Sequence, residues 1–359
     1  MSLRSEYIHK TFQFGFKART SRGLMKDKSS WFIRVWDDAD PDVFGIGECG
    51  PLKGLSPDFT PDFESTLRDV LSKLDGADLR ELRSGGPDMK LREIVPPSFP
   101  SLLLGLETAL LDLIHGGKRI IFQNEFVNGT PIPINGLIWM GDMDFTMSQI
   151  NQKVAEGFRC IKLKVGGLDF DRECDVLQYI RKRYFREDIE LRLDANGAFK
   201  VDDVLYKLTE LAKFKIQSIE QPLKAGLPET EELCRKSPIP VGFDEELIGI
   251  YDAAAKEELL TRLKPGYIIL KPTVHGGFRG CSEWIRIAES KGIGWWITSA
   301  LESNVGLNAI AQFTGQYPVG IPQGLGTGMI YENNFDSPLR VRNGLLFSEP
   351  GGTWPDVFN

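Results

Sequence analysis

The sequence contains few of the residues on which thiolate, zinc or histidine chemistry depends. It has five cysteines and three histidines in 359 residues. The cysteines form no Cys-x-x-Cys pair and their number is odd, which predicts reduced thiols in a reducing compartment and makes a zinc site unexpected; they are Cys49, Cys160, Cys174, Cys234 and Cys281. The histidines lie too far apart in the sequence to form a metal-binding pair; they are His9, His115 and His275. The chemistry is therefore expected from other residues.

Long apolar runs and an excess of positive charge are also lacking. No apolar run reaches the roughly 18 residues that a membrane span requires. The N-terminal residues MSLRSEYIHKTFQFGF alternate as in a strand and lack the apolar core of a signal peptide. The formal net charge of −7 argues against nucleic acid or an anionic membrane as the main partner, because both favour a basic surface. The sequence therefore predicts a cytoplasmic protein that acts on a small molecule, and it leaves the oligomeric state open.

The chain divides into a mixed N-terminal part and a longer part in which strands and helices alternate. Residues 1–130 contain strand-like alternation at Trp31–Trp36, a glycine- and proline-rich stretch at Gly45–Asp58 and a helical pattern at Leu102–Ile114, which predicts an α+β capping domain. Residues 131–325 alternate eight apolar strands with helical patterns such as Val201–Leu211 and Asp252–Leu263, which predicts a (β/α)8 barrel. The predicted strands are Ile132–Trp139, Arg159–Lys164, Glu190–Asp194, Ser218–Glu220, Val241–Asp244, Tyr267–Lys271, Trp295–Ser299 and Val319–Leu325. A doubly wound open sheet is the alternative, but no GxGxxG follows an early strand. Residues 326–359 depart from the alternation and are expected to complete the capping domain.

Five successive strands of the predicted barrel end in charge, although buried parallel strands are usually apolar. The charged positions are Lys164, Asp194, Glu220, Asp244 and Lys271, with Lys162 two residues before the first of them. They are separated by 30, 26, 24 and 27 residues, about one βα unit each time. Because active sites of such barrels lie at the carboxyl ends of the strands, three carboxylates and the lysines are expected to converge there.

Three converging carboxylates repel one another unless a cation lies between them. An all-oxygen set favours a hard ion, so the sequence predicts one Mg²⁺, for which Mn²⁺ could substitute. Lys162 and Lys164 share a strand face, and neighbouring cations with partial burial are expected to lower the pKa of a lysine so that its neutral amine can act as a base. Each residue alone also fits a solvated loop position, and Asp194 before Ala-Asn-Gly also fits a turn.

The motifs around these residues resemble the enolase superfamily and, within it, the muconate-lactonizing subgroup. The segments that carry the resemblance are KLKVGG (Lys162–Gly167), LRLDANGAF (Leu191–Phe199), SIEQPL (Ser218–Leu223), GFDEEL (Gly242–Leu247) and ILKPTVHGGF (Ile269–Phe278). Further segments are similar to the o-succinylbenzoate synthase family, namely GECGPLKGLSPD (Gly47–Asp58), PSLLLGLETALLDL (Pro100–Leu113) and ITSALESNVGL (Ile297–Leu307).

The resemblance implies a lyase that dehydrates 2-succinyl-6-hydroxy-2,4-cyclohexadiene-1-carboxylate to 2-succinylbenzoate in menaquinone biosynthesis. It implies that Lys164 removes the α-proton, that Lys162 and Lys271 stabilise the anion, and that the metal ligands are Asp194, Glu220 and Asp244. Positions that contact the substrate or support the ligands are implied at Asn196, Glu245, Ser299, Gly54 and Ser56. Two departures concern the outer pocket: Glu246 stands where relatives more often have Ser, and Gly326 where many have Asp.

Two other functions remain open from the sequence. An N-acylamino acid racemase or dipeptide epimerase on the same scaffold would use Lys164 and Lys271 as opposed acid and base. Dipeptide epimerases usually place carboxylates at strand eight, and Ile321–Tyr331 contains no Asp or Glu. A non-catalytic binding barrel is the more remote alternative, because it gains nothing from buried like charges placed close together.

Overall fold

An antiparallel sheet forms the N-terminal part of the computed structural model, which describes residues 2–20 and 23–358. Its strands pair in chain order and are β1 (Leu3–Thr20), β2 (Gly23–Asp37) and β3 (Asp40–Cys49). Side chains of β2 alternate between the two faces of the sheet, and both faces are buried. On one face, Ile33 and Val35 pack among apolar helix residues; on the other, Phe32 packs in a separate aromatic cluster. Strand β3 includes the first five residues of the predicted glycine- and proline-rich stretch, so only its remainder, residues 50–58, is a loop.

Four helices cover this sheet, and the last one packs closely on β3. They are α1 (Phe63–Leu74), α2 (Leu79–Gly85), α3 (Pro87–Ile94) and α4 (Pro100–Ile114). A Cβ atom added to Gly47 would lie 1.8 Å from the carbonyl oxygen of Gly105. Glycine at these positions therefore lets the backbones of β3 and α4 approach each other directly.

A parallel sheet of seven strands begins after residue 135 and follows the predicted alternation. Its strands, adjacent in chain order, are β5 (Gly136–Ile138), β6 (Cys160–Lys164), β7 (Glu190–Asp194), β8 (Ser218–Glu220), β9 (Val241–Phe243), β10 (Tyr267–Leu270) and β11 (Gly294–Ile297). The helices between and after them are α5 (Met143–Ala155), α6 (Phe170–Arg183), α7 (Val204–Ala212), α8 (Glu229–Lys236), α9 (Ala253–Leu263), α10 (Gly277–Ser290) and α11 (Asn304–Thr314). Strands and helices share one large apolar core. In the part of the chain that the structure describes, no helix is long and apolar enough to cross a membrane.

The eighth barrel element consists of two residues rather than the predicted strand Val319–Leu325. Gln323 forms a parallel bridge with Ile134, and Gly324 forms one with Thr298. These bridges join the first and last strands of the curled sheet and close it, which confirms the (β/α)8 barrel. Pro318 and Pro322 lack the N–H groups that a longer ladder would need, which accounts for the shortness of this element.

The C-terminal residues return to two places. The hairpin of β12 (Leu339–Arg342) and β13 (Leu345–Ser348) pairs with β4 (Ile132–Pro133), the short strand that leads into the barrel. Upstream of this hairpin, Tyr331 forms a bridge with Phe14 of β1. The domain boundaries at residues 130 and 326 stay a prediction.

Candidate active site

The charged strand ends meet at one mouth of the barrel. Strand register places Lys164 of β6 beside Asp194 of β7, and Asp194 beside Glu220 of β8. Asp244 and Lys271 come directly after β9 and β10. All five line a cavity of about 560 Å³ between the barrel and the N-terminal sheet. Their common register follows from parallel strands of similar length, each ending at the same edge of the sheet.

The lysines form ion pairs with the carboxylates across this mouth. The amine of Lys162 lies 2.5 Å from Glu220 Oε2 and 3.0 Å from Asp194 Oδ2. The amine of Lys164 lies 3.0 Å from the same Asp194 oxygen, and Lys271 contacts Asp244 Oδ2. Each of the three carboxylate residues is 1% exposed. The site thus concentrates six ionisable groups in a space that excludes most water, where each charge strongly affects its neighbours.

These contacts determine the proton affinities of the buried groups. Burial alone would lower the pKa of Lys162, but the negative charges of Asp194 and Glu220 outweigh it and raise that pKa. Burial opposes ionisation of Asp194 as well, but Lys162 and Lys164 together lower its pKa. Burial and the nearby charge of Asp194 raise the pKa of Glu220 to about 8. The expectation of a lowered lysine pKa is therefore wrong for Lys162, because carboxylates rather than cations are its nearest charged neighbours.

The carboxylates suit a hard divalent ion because they offer oxygen ligands, two of which make no hydrogen bond to the described residues. Among the described residues, Glu220 Oε1 and Asp244 Oδ1 are buried oxygens with no hydrogen-bond partner, and carboxylate oxygens are the ligands that Mg²⁺ prefers. Among residues 2–20 and 23–358, no three His, Cys, Asp or Glu side chains are already gathered into a metal-binding group. The reason is local: Lys162 lies against two of the carboxylates and Lys271 against the third. Ion binding would require these amines to withdraw.

Asn196 and Glu245 support Lys164 from behind. Asn196 has a φ of 44°, a left-handed conformation that asparagine tolerates in turns. Its Oδ1 accepts a hydrogen bond from the Lys164 amine at 2.7 Å, and its Nδ2 donates to Glu245 Oε1 at 3.0 Å. Glu246 instead accepts from Gly226 N at 3.2 Å and lies outside this chain of contacts. The structure thus assigns different surroundings to the two adjacent glutamates.

The remaining predicted contact residues are divided between the cavity wall and the loop interior. Ser299 lines the cavity, and its hydroxyl is 2.6 Å from the hydroxyl of Thr327. Gly54 also lines the cavity, with a φ of 76° that favours glycine. Ser56 is not part of the wall: it is buried, and its hydroxyl accepts a hydrogen bond from Leu52 N at 2.8 Å. Ser56 holds the shape of the loop that carries Gly54.

The capping sheet contributes a residue to the cavity that sequence reasoning missed. Lys28 of β2 lines the cavity and is buried. Its amine donates to Ser30 Oγ at 3.1 Å and lies 3.9 Å from Glu48 Oε1. The sequence did contain a sign of this position: in an alternating strand, Lys28 lies on the same face as Ser30 and the buried Phe32.

Comparison with known proteins assigns the chain to a family. The model of the enolase C-terminal domain-like family matches residues 146–352. The chain is 42% identical over 351 residues to the o-succinylbenzoate synthase of Desulfotalea psychrophila, which covers 92% of this chain and 94% of that protein. The chain belongs to the o-succinylbenzoate synthase family of the enolase superfamily.

One solved structure agrees with this assignment, and a second shares the fold. The crystal structure of MenC from Desulfotalea psychrophila LSv54 matches with a TM-score of 0.86 and 39% identity, over 97% of this chain and all of that one. A dipeptide epimerase from Enterococcus faecalis V583, solved with Mg and the dipeptide L-Leu-L-Tyr, matches with a TM-score of 0.83, over 99% of this chain and 98% of that one. At 19% identity, the epimerase shows a shared fold only.

Proposed function

We propose that the protein dehydrates 2-succinyl-6-hydroxy-2,4-cyclohexadiene-1-carboxylate to 2-succinylbenzoate, a step toward menaquinone. The observation that carries this proposal is the set of lysines on opposite sides of three buried carboxylates, with Lys164 on β6 and Lys271 after β10. This arrangement suits removal of a proton next to a carboxylate. The similarity to o-succinylbenzoate synthase over most of both chains supports the choice of substrate.

We propose that one Mg²⁺ is held by Asp194, Glu220 and Asp244, and we expect Mn²⁺ to substitute for it. When bound, the ion supplies positive charge that polarises the substrate carboxylate and stabilises the developing anion. Support comes from the partnerless oxygens of Glu220 and Asp244 and from the Mg-containing epimerase of similar fold. The amines that now contact these carboxylates would turn toward the substrate.

The proposed reaction uses one base on one face of the ring. Lys164 accepts the α-proton, the electron pair of the broken C–H bond forms the new C=C bond, and the C–O bond breaks. The same amine then returns its proton to the departing hydroxide, which leaves as water. Asn196 restricts the Lys164 amine through the 2.7 Å hydrogen bond. Lys162 adds positive charge, and Lys271, on the opposite side of the barrel, stabilises the anion and can lie against the ring as a cation–π partner.

A racemase acting on N-acylamino acids is the second candidate, because Lys164 and Lys271 are opposed as two-base chemistry requires. A dipeptide epimerase is less favoured. Residues 321–331, which contain the eighth barrel element, have no acidic side chain to bind a substrate ammonium group. N-acyl substrates carry no ammonium group, so this argument does not apply to the racemase.

The test of the function is formation of 2-succinylbenzoate from the cyclohexadiene carboxylate in the presence of Mg²⁺, measured by liquid chromatography. We expect wild type to form it well above the enzyme-free rate and Lys164→Ala to form none. Lys213→Ala is the matched control, since that side chain is 62% exposed and forms an ion pair with the nearby Glu210. Racemisation of an N-acylamino acid by wild type, with no 2-succinylbenzoate formed, would replace the dehydratase by the racemase.

We also propose a cytoplasmic location and a small-molecule carboxylate as the binding partner. All five cysteines are free thiols, which suits a reducing compartment.

A further inference from the structure

The loop that follows Lys271 forms hydrogen bonds with both the main-chain N–H and the carbonyl oxygen of that residue. The carbonyl oxygen of Lys271 accepts hydrogen bonds from Val274 N and His275 N, each at 2.8 Å. The N–H of Lys271 donates to the ring Nδ1 of His275 at 2.9 Å. His275 therefore contacts both polar groups of the Lys271 main chain: its own N–H donates to the carbonyl oxygen, and its imidazole accepts from the N–H.

The imidazole replaces a strand partner that Lys271 lacks. The pairing of β10 with β9 extends only to Ile268 and Phe243, since Asp244 turns away into a 3₁₀ turn, Glu245–Leu247. On the other side, the pairing of β10 with β11 ends at Leu270. The N–H of Lys271 lies beyond both ladders in a buried position, where a donor without a partner is costly.

The direction of the Lys271 side chain depends on this main-chain arrangement. The amine lies roughly 6 Å from its Cα atom, so a rotation of about 10° at Cα moves the amine by about 1 Å. That amine contacts Asp244 Oδ2 within the cavity. A displacement of this size at a reacting group costs on the order of 100-fold in rate.

The hydrogen bond with Lys271 is the ring's contact of good geometry. His275 is 2% exposed, and among the described residues its Nε2 makes no hydrogen bond of ordinary geometry, although the ring lies close enough to the main chain of Asp244 to interact with it. Because Nδ1 acts as an acceptor, the neutral ring carries its proton on Nε2. An apolar side chain of similar size would fill the same space, but it could not accept the hydrogen bond of the Lys271 N–H.

We propose that His275 is a positioning residue, which aims the Lys271 amine across the cavity by accepting the hydrogen bond of the Lys271 main-chain N–H. This inference rests on the proposed function, in which Lys271 stabilises the substrate anion.

The kinetic test compares two substitutions of His275 with one of its neighbour. His275→Leu fills the space but removes the acceptor, and His275→Asn keeps an acceptor atom at the δ position. Val274→Ala is the matched control, because Val274 is fully buried in the same loop and the substitution keeps its main-chain N–H, which donates to the Lys271 carbonyl oxygen. We expect His275→Leu to lower kcat about 10- to 100-fold with KM changed less than about threefold, since the lost interaction acts on the anion. His275→Asn should recover most of this loss, and Val274→Ala should lower Tm while leaving kcat within about twofold.

Crystal structures of the same variants provide a readout that does not depend on the reaction. The amine of Lys271 should leave Asp244 in His275→Leu and stay there in Val274→Ala. An unmoved amine in His275→Leu, or a kcat equal to that of Val274→Ala, overturns the proposal. If wild type makes no 2-succinylbenzoate while the amine moves in His275→Leu alone, the proposed function fails and the positioning role stands.

Discussion

Glu107 gives the molecule a component of pH-dependent stability that one substitution can remove. Its side chain lies on α4, is 3% exposed and accepts a hydrogen bond from Phe278 N, at the start of α10, at 2.9 Å. Burial raises its pKa from 4.5 to about 8, more than that hydrogen bond lowers it. The folded protein therefore holds this proton more tightly than the unfolded chain does. The contribution to stability is complete below pH 4.5 and declines as pH rises toward 8.

The size of the effect follows from the two pKa values. With pKa values of about 8 when folded and 4.5 when unfolded, the free energy of unfolding should fall by about 3.5 kcal/mol between pH 5 and pH 8. Unfolding entropy for a chain of 359 residues is on the order of 0.75 kcal/mol/K, so this loss corresponds to about 5 °C in Tm. Glutamine keeps the oxygen that accepts from Phe278 N but cannot ionise. Glu107→Gln should therefore gain stability over wild type as pH rises.

Thermal melts at pH 5, 6, 7 and 8 measure this difference directly. Subtracting the wild-type Tm from that of Glu107→Gln at each pH removes the contributions of the other titrating groups. Glu93→Gln is the control, because the Glu93 side chain is 65% exposed and its ion pair with Lys90 is 3.5 Å long. A Tm difference between Glu107→Gln and wild type that is the same at pH 5 and pH 8 would refute the reasoning. So would a variant that is less stable than wild type at pH 8.

Three further predictions concern the site. Removing the charge of any proposed metal ligand should abolish most activity and leave the far-ultraviolet circular dichroism unchanged; the variants are Asp194→Asn, Glu220→Gln and Asp244→Asn. An active Asp244→Asn beside an inactive Glu245→Gln would reassign the ligand after β9. In heavy water, Lys271→Arg should retain some turnover because it keeps a cation, whereas Lys164→Ala should lose proton abstraction. If Lys271→Arg instead exchanges the α-proton of only one enantiomer with solvent, the enzyme is a two-base racemase. Amides of residues 50–56 should exchange more slowly with solvent when 2-succinylbenzoate is bound, and equal protection would count against closure of this loop over the cavity.

The register of the strand ends was predictable from the sequence because the barrel imposes it. Parallel strands separated by one helix each place residues about 27 positions apart at the same edge, so Asp194 and Glu220 had to be neighbours once the strands were recognised. Lys162 and Lys164 needed only the two-residue period of a strand to share a face. Their amines both reach Asp194, as that period requires.

The pairing of charges within the site was not predictable in the same way. Which amine lies against which carboxylate depends on distances across the barrel mouth, and the direction of the Lys162 pKa depends on those distances. Strand ends also depend on local chemistry that apolar patterning does not reveal. The eighth strand is reduced to two residues directly after Pro322, and β3 extends to Cys49 despite its glycines.

His275 and Lys28 show why single polar residues escape sequence reasoning. A search for metal sites looks for histidine pairs, whereas the ring of His275 accepts a hydrogen bond from a residue four positions earlier. Lys28 lies on a strand remote in sequence from the barrel, and only the packing of the two sheets brings it to the cavity. Both depend on tertiary placement rather than on spacing.

The most direct test of the account is the metal dependence of 2-succinylbenzoate formation. Protein stripped with a chelator is assayed with the cyclohexadiene carboxylate before and after Mg²⁺ is added, with Lys164→Ala measured in parallel. The account predicts no activity in the stripped protein, recovery on addition of Mg²⁺, and no recovery in Lys164→Ala. Full activity of the stripped protein, or Mg²⁺-dependent activity of Lys164→Ala equal to that of wild type, would contradict it.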